Sequence, residues 1–537
     1  MLKVSRIALV FAAMAFASCV QDDMNEVSTP ETPGTELSNN LTTVKLATFN
    51  GNASRVTYAG SRAGEEAAEQ GTLELVASIA NPSKAEGFNF TSEGRYLSAT
   101  SIYYNEETET YYVTYHMQGN NYNTELETET AGAIQSFKIN ENGEVVLGDG
   151  FRAPNPSKED FDFNHIYFDI TSQRILAMGH NVKNGNQDNT NAIVGIFDPT
   201  AGTFTYSTVK TNEKEYDSQG KSLGYKDAGD VNSILRPNDN FATPAGWNFY
   251  LLATRKGLAA VKADAEHLFE PILDEDGTNY FIATPGSAKS ITQGTAGSYF
   301  NLLYLSQNTS EMPEAYNTGS EAKIAHFAIN TTDNNYLRSL QAQTSPWTQF
   351  DPRTKDILDL ETQTDLPTVI SPVDGKNTLF AIPRHSDAEY YAALGTSGLY
   401  YHFMGANNTM KLYEGVMKFG NRPVNNVYAD KEVYGEGIYD EEGHRTGHDG
   451  FLYVANGSKL TIMHRRTMEE LASWNMPSTD AEGNDISSSA NFITVTSAPV
   501  GENGLSQRTI AVAFGQEGVK IFKFMPVVKT VWEHDIQ

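Results

Sequence analysis

The stretch Phe451–Trp474, FLYVANGSKLTIMHRRTMEELASW, decides how the rest of the chain is read. An apolar run from Phe451 to Ala455 meets the turn Asn456-Gly457-Ser458. A second run then alternates, with Leu460, Ile462 and His464 on one face. Asn-Gly between two β-prone runs is the strongest short hairpin signal, because both residues tolerate the positive φ of a tight, twisted turn. After Arg466-Thr467-Met468, a third short strand is predicted near Leu471–Trp474. Three strands joined by tight turns in so short a stretch make most of one blade of a β-propeller.

The same marker, a strand followed by a polar connection and a second strand, recurs along the chain from about Thr72. It pairs Thr110–Met117 with Ala133–Ile139, Arg174–Gly179 with Ala192–Phe197, and Asn248–Thr254 with Leu258–Val261. Tyr299–Leu305 with Ala322–Ile329 and Thr378–Ile382 with Leu399–Met404 follow. Phe451–Ala455 with Leu460–His464 and Thr509–Phe514 with Val519–Phe524 complete the set. Candidate inner strands such as Ala99–Tyr104, Ile166–Ile170 and Thr368–Ile370 precede the pairs. Repeats that cannot bury both faces alone stack around an axis, and a spacing wider than the ~40–50 residues of compact repeats implies inserted loops.

The last copy lacks an outermost strand before the chain ends. Thr72–Ile79 (TLELVASI) alternates well and is predicted to supply it, removing sheet edges that would otherwise invite aggregation. The expectation is an all-β protein: a single seven-bladed β-propeller over 72–537, closed by an N-terminal strand. The abundance of Tyr, Thr, Asn and Gly, with 27 Tyr and 27 Phe, agrees with an all-β chain.

Leu452–Trp474 resembles the YVTN- or LVIVD-type repeat of bacterial β-propellers, whose core reads strand, Asn-Gly/Ser, strand, Asp-x-x-Thr, strand. This copy departs from that repeat in carrying Arg465 and Arg466 where an acidic residue is usual. The resemblance implies a fold and no particular activity.

Residues 1–18 read as a signal sequence. Lys3 and Arg6 form the charged region, Ile7–Ala17 the apolar one, and the run is shorter than the ~20 residues of a membrane span. Cys19, the single cysteine, follows Phe16-Ala17-Ser18 in a pattern that resembles the bacterial lipobox, with Phe16 in place of the usual Leu. The resemblance implies that Cys19 carries lipid and anchors the chain in the outer membrane; acyl chains hold a protein on a bilayer without a span. Gln21-Asp22-Asp23-Met24-Asn25-Glu26 behind it resembles the surface-export signal of Bacteroidota lipoproteins; a solvated acidic linker is the other reading. Residues 19–40, rich in Thr, Pro, Glu and Asn, form a flexible tether. Residues 41–71 form an N-terminal extension in which Val44–Tyr58 suggests a short strand pair.

The formal net charge is −28, and loss of Lys3 and Arg6 makes it more negative still. So acidic a surface repels phosphate backbones and no basic run interrupts it, which excludes nucleic-acid binding as the expected role.

Long connections concentrate the candidate chemistry, because inserted loops on a rigid scaffold carry function more often than the scaffold does. Those at Gln118–Gly132, His180–Asn191, Ser306–Glu321 and Arg384–Gly398, with Asp149–Phe163 and Lys210–Gly229, are expected on one face. The ends of the second strands there carry His116, His180, Arg255, Arg384 and His385, and the loops carry Tyr122, Tyr316, Tyr390 and Tyr391. Aromatic faces with convergent polar groups suit sugar rings, and arginine serves an anionic group. The same residues also suit loop packing and hydrogen bonds to backbone.

His444, His448 and Asp449 form the densest set of metal-ligand types, but neighbouring glycines argue against the helix on which His-x-x-x-His would chelate, and a solvated turn is the better reading. Asp274-Glu275-Asp276-Gly277 invites calcium yet lacks the further oxygen ligands of an EF-hand loop. No cofactor is expected otherwise. No nucleophile elbow, phosphate loop or zinc-protease motif is present in the sequence.

Three functions follow. The first is a non-catalytic surface lipoprotein that binds a glycan or an anionic iron chelate, or docks on a TonB-dependent transporter of the outer membrane; that partner is implied by the export-signal resemblance. The second is a polysaccharide hydrolase or lyase. The third is a scaffold in a secretion, assembly or adhesion complex.

Overall fold

Runs rich in Val, Ile, Tyr, Phe and Thr, punctuated by Gly, Asn and Asp turns, fold here into antiparallel meanders. The structure, a computed structural model, describes residues 41–48, 55–56, 72–82, 96–118, 132–140, 144–152, 159–169, 171–183, 190–236, 248–273, 276–283, 287–296, 299–307, 323–330, 379–384, 387–393, 399–404, 410–412, 424–429, 433–439, 445–448, 451–464, 470–479, 483, 486, 488–497, 506–526 and 529–530. These residues contain no α-helix, and their sheets are antiparallel and open.

The larger sheets come in chain order. The first is built from Tyr96–Asn105, Thr110–Gln118, Ala133–Ile139 and Val145–Arg152. The second has Glu159–Asp169, Arg174–Lys183, Thr190–Asp198 and Thr203–Thr208, and the third Val231–Leu235, Phe249–Thr254, Gly257–Lys262 and Phe281–Ala283. Ser287–Ala296, Tyr299–Gln307 and Lys323–Asn330 make the fourth. Leu379–Arg384, Asp387–Ala393, Leu399–Met404 and Met410–Leu412 make the fifth. The sixth has Val424–Ala429, Phe451–Asn456, Lys459–His464 and Glu470–Asn475. In the seventh, Phe492–Ser497, Arg508–Ala513 and Val519–Met525 are joined by Thr72–Ile79 and then Arg55–Val56.

Thr72–Ile79 thus pairs with the last long strand, from Val519↔Ile79 to Met525↔Thr72. The first strands of successive sheets touch one another in turn, and the first strand of the seventh sheet lies against that of the first.

Six of the seven strand pairs expected from the sequence are adjacent. The fifth is not: Asp387–Ala393 intervenes, pairing Tyr390 with Ala381 on one side and His402 on the other. Within 384–398, Asp387–Ala393 is therefore strand rather than part of a long loop. The expected connection Lys210–Gly229 is likewise a hairpin of Lys210–Tyr216 and Ser222–Asp227, its turn fixed by Asp217 Oδ1 accepting from the amides of Gln219 and Lys221 at 2.8 Å each. Thr42–Lys45 and Ala47–Thr48 do not pair with each other. They add to the outer edges of the second and first sheets. Thr368–Ile370 lies outside the described residues.

In the hairpin that opened the sequence reading, Asn456 is the last strand residue, opposite Lys459. Gly457 alone takes positive φ, 56°, which is the place a two-residue turn of the II′ kind gives to glycine.

The core lies in slabs between neighbouring sheets. Phe161, Phe163, Phe197, Phe204 and Tyr206 fill the gap between first and second sheets with Tyr112, Ile134 and Phe151. Tyr453, Leu460, Ile462, Phe522 and Phe524 do so between sixth and seventh. Rings meet edge to face, as Phe163 and Phe204 do at 5.4 Å, the arrangement favoured by the aromatic quadrupole.

Polar side chains bridge the first strands. Asn232 Nδ2 donates to Ala288 O at 2.8 Å, Asn425 Nδ2 to Ala490 O at 3.0 Å, and Asn491 Nδ2 to Ala99 O at 2.9 Å. Asn164 Nδ2 reaches Val231 O at 3.3 Å, and Thr100 Oγ1 donates to Phe163 O at 3.1 Å. Each bond ties one sheet to the next where buried backbone carbonyls need donors.

Candidate functional site

The alternation Phe161-Asp162-Phe163-Asn164 on the first strand of the second sheet sends the phenylalanines to the aromatic slab and the polar pair to the other face. Asp162 and Asn164 are nonetheless buried, at 0% and 4% exposure. Asp162 is the cross-strand neighbour of His180, next to a register shift between Met178 and Gly179. A Cβ on Gly179 would collide with the carbonyl of Asp162, and one on Gly132 with that of Phe161. The two glycines let three strands from two sheets converge without side chains between them.

His116, from the second strand of the first sheet, completes the cluster. Its ring centroid is 5.6 Å from that of His180, with the planes inclined by 62°. The Asp162 carboxylate lies between the two imidazoles: Oδ1 is 4.0 Å from His116 Nδ1, and Oδ2 is 3.5 Å from His180 Nε2. The other nitrogen of His180, Nδ1, stands 3.4 Å from Asp230 Oδ1, and Asn164 Nδ2 donates to that same oxygen at 2.5 Å. His116 Nδ1 is buried and makes no hydrogen bond among the described residues. The histidine side chains keep 20% and 12% of their surface exposed over a carboxylate that has none.

The third sheet and the hairpin frame it. Arg255 N donates to Asp230 O at 2.9 Å, so the turn carrying Arg255 is tied to the residue that faces His180. Ala192, opposite His180 on the third strand, donates its amide to Asp227 Oδ1 at 2.8 Å. Burial pushes the Asp227 carboxyl up, against the lowering effect of Lys210, whose Nζ is 3.2 Å away.

Of the residues singled out from the sequence, His116 and His180 are brought together, and Arg255 is joined to the site through its backbone amide, bonded to Asp230 O. Arg384, Tyr390 and Tyr391 lie on strands of the fifth sheet, so the tyrosines are not loop residues. His448 is on the strand Arg445–His448, which pairs with Val433–Tyr439. Tyr122, Tyr316, His385, His444, Asp449 and Cys19 fall outside the described residues. Asp276 and Gly277 sit in a turn, with Gly277 at φ 73°, and Asp274 and Glu275 lie outside. Asp162, Asp230 and Asn164 were not picked out from the sequence. The signal that would have found Asp162 is an acidic residue inside an alternating aromatic strand.

Among the described residues, His116, Asp162 and His180 are the one set with ligand atoms mutually close enough to share a metal ion, all within 4.8 Å. No helix among the described residues is long and apolar enough to cross a membrane. No family model matches the sequence, and no curated protein matches it.

Proposed function

We propose that this chain is a lipid-anchored, surface-displayed lipoprotein of the outer membrane, folded as a seven-bladed β-propeller that captures a nutrient ligand. The propeller reading is supported by seven meander sheets whose first strands touch in cyclic order, the last lying against the first. It is supported further by a final sheet that draws its outer strands from the N-terminal side. Anchoring through an acylated Cys19, and service beside a TonB-dependent transporter, follow from the lipobox and the acidic segment behind it.

The observation that carries the binding role is the convergence of His116 and His180, from different sheets, over the buried Asp162. Rigid strands hold these groups, the side chains remain partly open, and imidazole and carboxylate together offer donors and acceptors to sugar hydroxyls. A glycan therefore fits best. An anionic iron chelate is the second arm, for which Arg255, whose backbone amide is bonded to Asp230 O, is the candidate cation singled out from the sequence. The polysaccharide-cleaving alternative draws on Asp162 and Asp230 flanking His180, two acids in reach of one general base.

The test uses the full mature chain in detergent, screened on a glycan array and titrated with ferric catecholate and ferric hydroxamate chelates. Saturable binding that His180→Ala weakens at least tenfold supports capture. Turnover of a bound glycan, lost in Asp162→Asn, would convert the reading to an enzyme. Silence toward both ligand classes, with co-purification of an outer-membrane barrel, would leave a scaffold.

A further inference from the structure

We infer that His116, Asp162 and His180 bind a divalent transition-metal ion, with zinc the best-suited occupant and Asp230 as the outer partner that orients His180. The inference concerns the pocket of the proposed ligand site, and it uses that reading only in assigning a purpose to the ion's open position.

The donor set is the first argument. Two imidazoles and a carboxylate suit zinc and its neighbours rather than calcium or magnesium, which take oxygen ligands. Three protein donors leave a fourth position open, as in sites that present a metal to a small molecule.

Geometry is the second. Around a tetrahedral ion with bonds of about 2.0–2.1 Å, neighbouring donors stand roughly 3.3 Å apart. His180 Nε2 and Asp162 Oδ2 are 3.5 Å apart, and His116 Nδ1 and Asp162 Oδ1 4.0 Å. Taking one ligand atom from each residue, the three donors all lie within 4.8 Å of one another, so the side chains must draw together to close on an ion.

The third is the surrounding shell. A ligating histidine almost always directs its other nitrogen at a carboxylate, carbonyl or water, which fixes the tautomer and the ring. Asp230 Oδ1 lies 3.4 Å from His180 Nδ1, near but outside hydrogen-bond geometry, and is itself held by Asn164; ligation that turns the ring slightly would bring the two into contact. With Nδ1 as the protonated nitrogen, Nε2 turns a lone pair toward a carboxylate oxygen, an arrangement that a cation between them relieves. The buried His116 Nδ1 makes no hydrogen bond among the described residues, and as the unprotonated nitrogen it would find its partner in such a cation.

An open coordination site on this ion would bind an anionic or hydroxyl oxygen of the captured ligand, supplying positive charge to a pocket lined by two carboxylates. Without the ion, those carboxylates oppose an anionic chelate.

The experiment uses the full mature chain in detergent, stripped with a chelator and dialysed against Zn2+ alone or Co2+ alone. The expected result is one ion per chain, ligand-field absorption of the Co2+ form in the visible range, and a Tm raised by Zn2+. His116→Ala and His180→Ala should each abolish stoichiometric uptake. His116→Gln, closer in size, keeps the test valid if the alanine variant fails to fold. Asp230→Asn, acting only through His180, should weaken affinity by about 10–100-fold while leaving stoichiometry at one.

No saturable uptake by the wild-type chain would overturn the inference, as would uptake unchanged in folded His116 and His180 variants. A chain that takes up the ion but responds to no glycan or chelate upholds the metal site and removes the ligand reading. Ligand capture by a chain that takes up no metal does the reverse.

Discussion

One strand carries two buried carboxylates that the fold treats in opposite ways. Asp169, at the end of Glu159–Asp169, is met by a guanidinium, a phenol, a serine hydroxyl and the Thr171 backbone amide. Arg236 Nη1 pairs with its Oδ2, Tyr250 OH donates to the same oxygen at 2.5 Å, and Ser172 Oγ does so at 2.6 Å. Arg236 also stacks its guanidinium over the Tyr250 ring at 5.6 Å. Burial alone would push the Asp169 carboxyl up; the Ser172 and Tyr250 hydrogen bonds and the Arg236 charge hold it below the usual value. Asp162, seven residues earlier by number, faces two imidazoles that are themselves ligands and bases. A buried charge matched by a guanidinium is structural, joining the second sheet to the third. A buried charge matched by histidines is poised to take a cation.

The largest effect should come from breaking the structural pair. Arg236→Ala leaves Asp169, 1% exposed, as a buried carboxylate without its cation, a change that costs about 3–5 kcal/mol. Denaturant unfolding of the purified variant measures it. The pair also sets an acid dependence. Because the folded carboxyl of Asp169 lies below its unfolded value of about 3.9, its contribution is complete above that pH and is lost as pH falls through the folded value. The wild-type chain should therefore lose stability below about pH 4 more steeply than Arg236→Ala. Parallel acid profiles would mean that Asp169 gains nothing from Arg236.

The same contrast shows what the sequence could reveal. Strands announced themselves wherever apolar alternation met a Gly or Asn turn, as at Phe451–His464. Asp387–Ala393 (DAEYYAA) carries neither alternation nor a clear turn signal, and its sequence reads as loop although two neighbours claim it as a strand. Thr42–Lys45 is too short to encode a partner, and Thr43 finds Thr205 only because the outer edge of the second sheet is free to receive it. For the site, strand-end reasoning reached His116 and His180. Asp162 and Asp230 escaped because their roles depend on which sheets adjoin, and local periodicity holds no such information. The asparagine bridges escaped for the same reason: Asn232 and Asn491 look like ordinary strand residues until the next sheet supplies the carbonyl.

Those bridges give the intermediate case, neutral rather than charged. Asn491→Ala removes the donor to Ala99 O from a residue at 0% exposure and leaves a buried carbonyl without it, at a cost of about 1–3 kcal/mol. The loss should fall between that of Arg236→Ala and that of Asp162→Asn. Asn491 joins the seventh sheet to the first, so amide exchange should rise most in Phe492–Ser497 and Tyr96–Asn105. A uniform rise across all sheets would show instead that the bridge supports the chain as one cooperative unit.

The smallest effect on stability should come from Asp162, the carboxylate proposed to hold the ion. If Asp162 were a second Asp169, Asp162→Asn would be costly, because an amide cannot replace a carboxylate opposite a cation. With imidazoles as its neighbours, an amide of the same shape can donate to the ring nitrogen that carries a lone pair, which the carboxylate cannot do. It also removes a negative charge close to Asp230. The metal-free variant should therefore unfold within about 1 kcal/mol of the wild type, and on the stabilising side, as substitutions at strained functional positions often do. In the presence of Zn2+ the order should invert, since the wild type gains stability by binding and the variant gains none. A destabilisation of Asp162→Asn as large as that of Arg236→Ala, without zinc, would make both carboxylates structural and erase the distinction between the two ends of the strand.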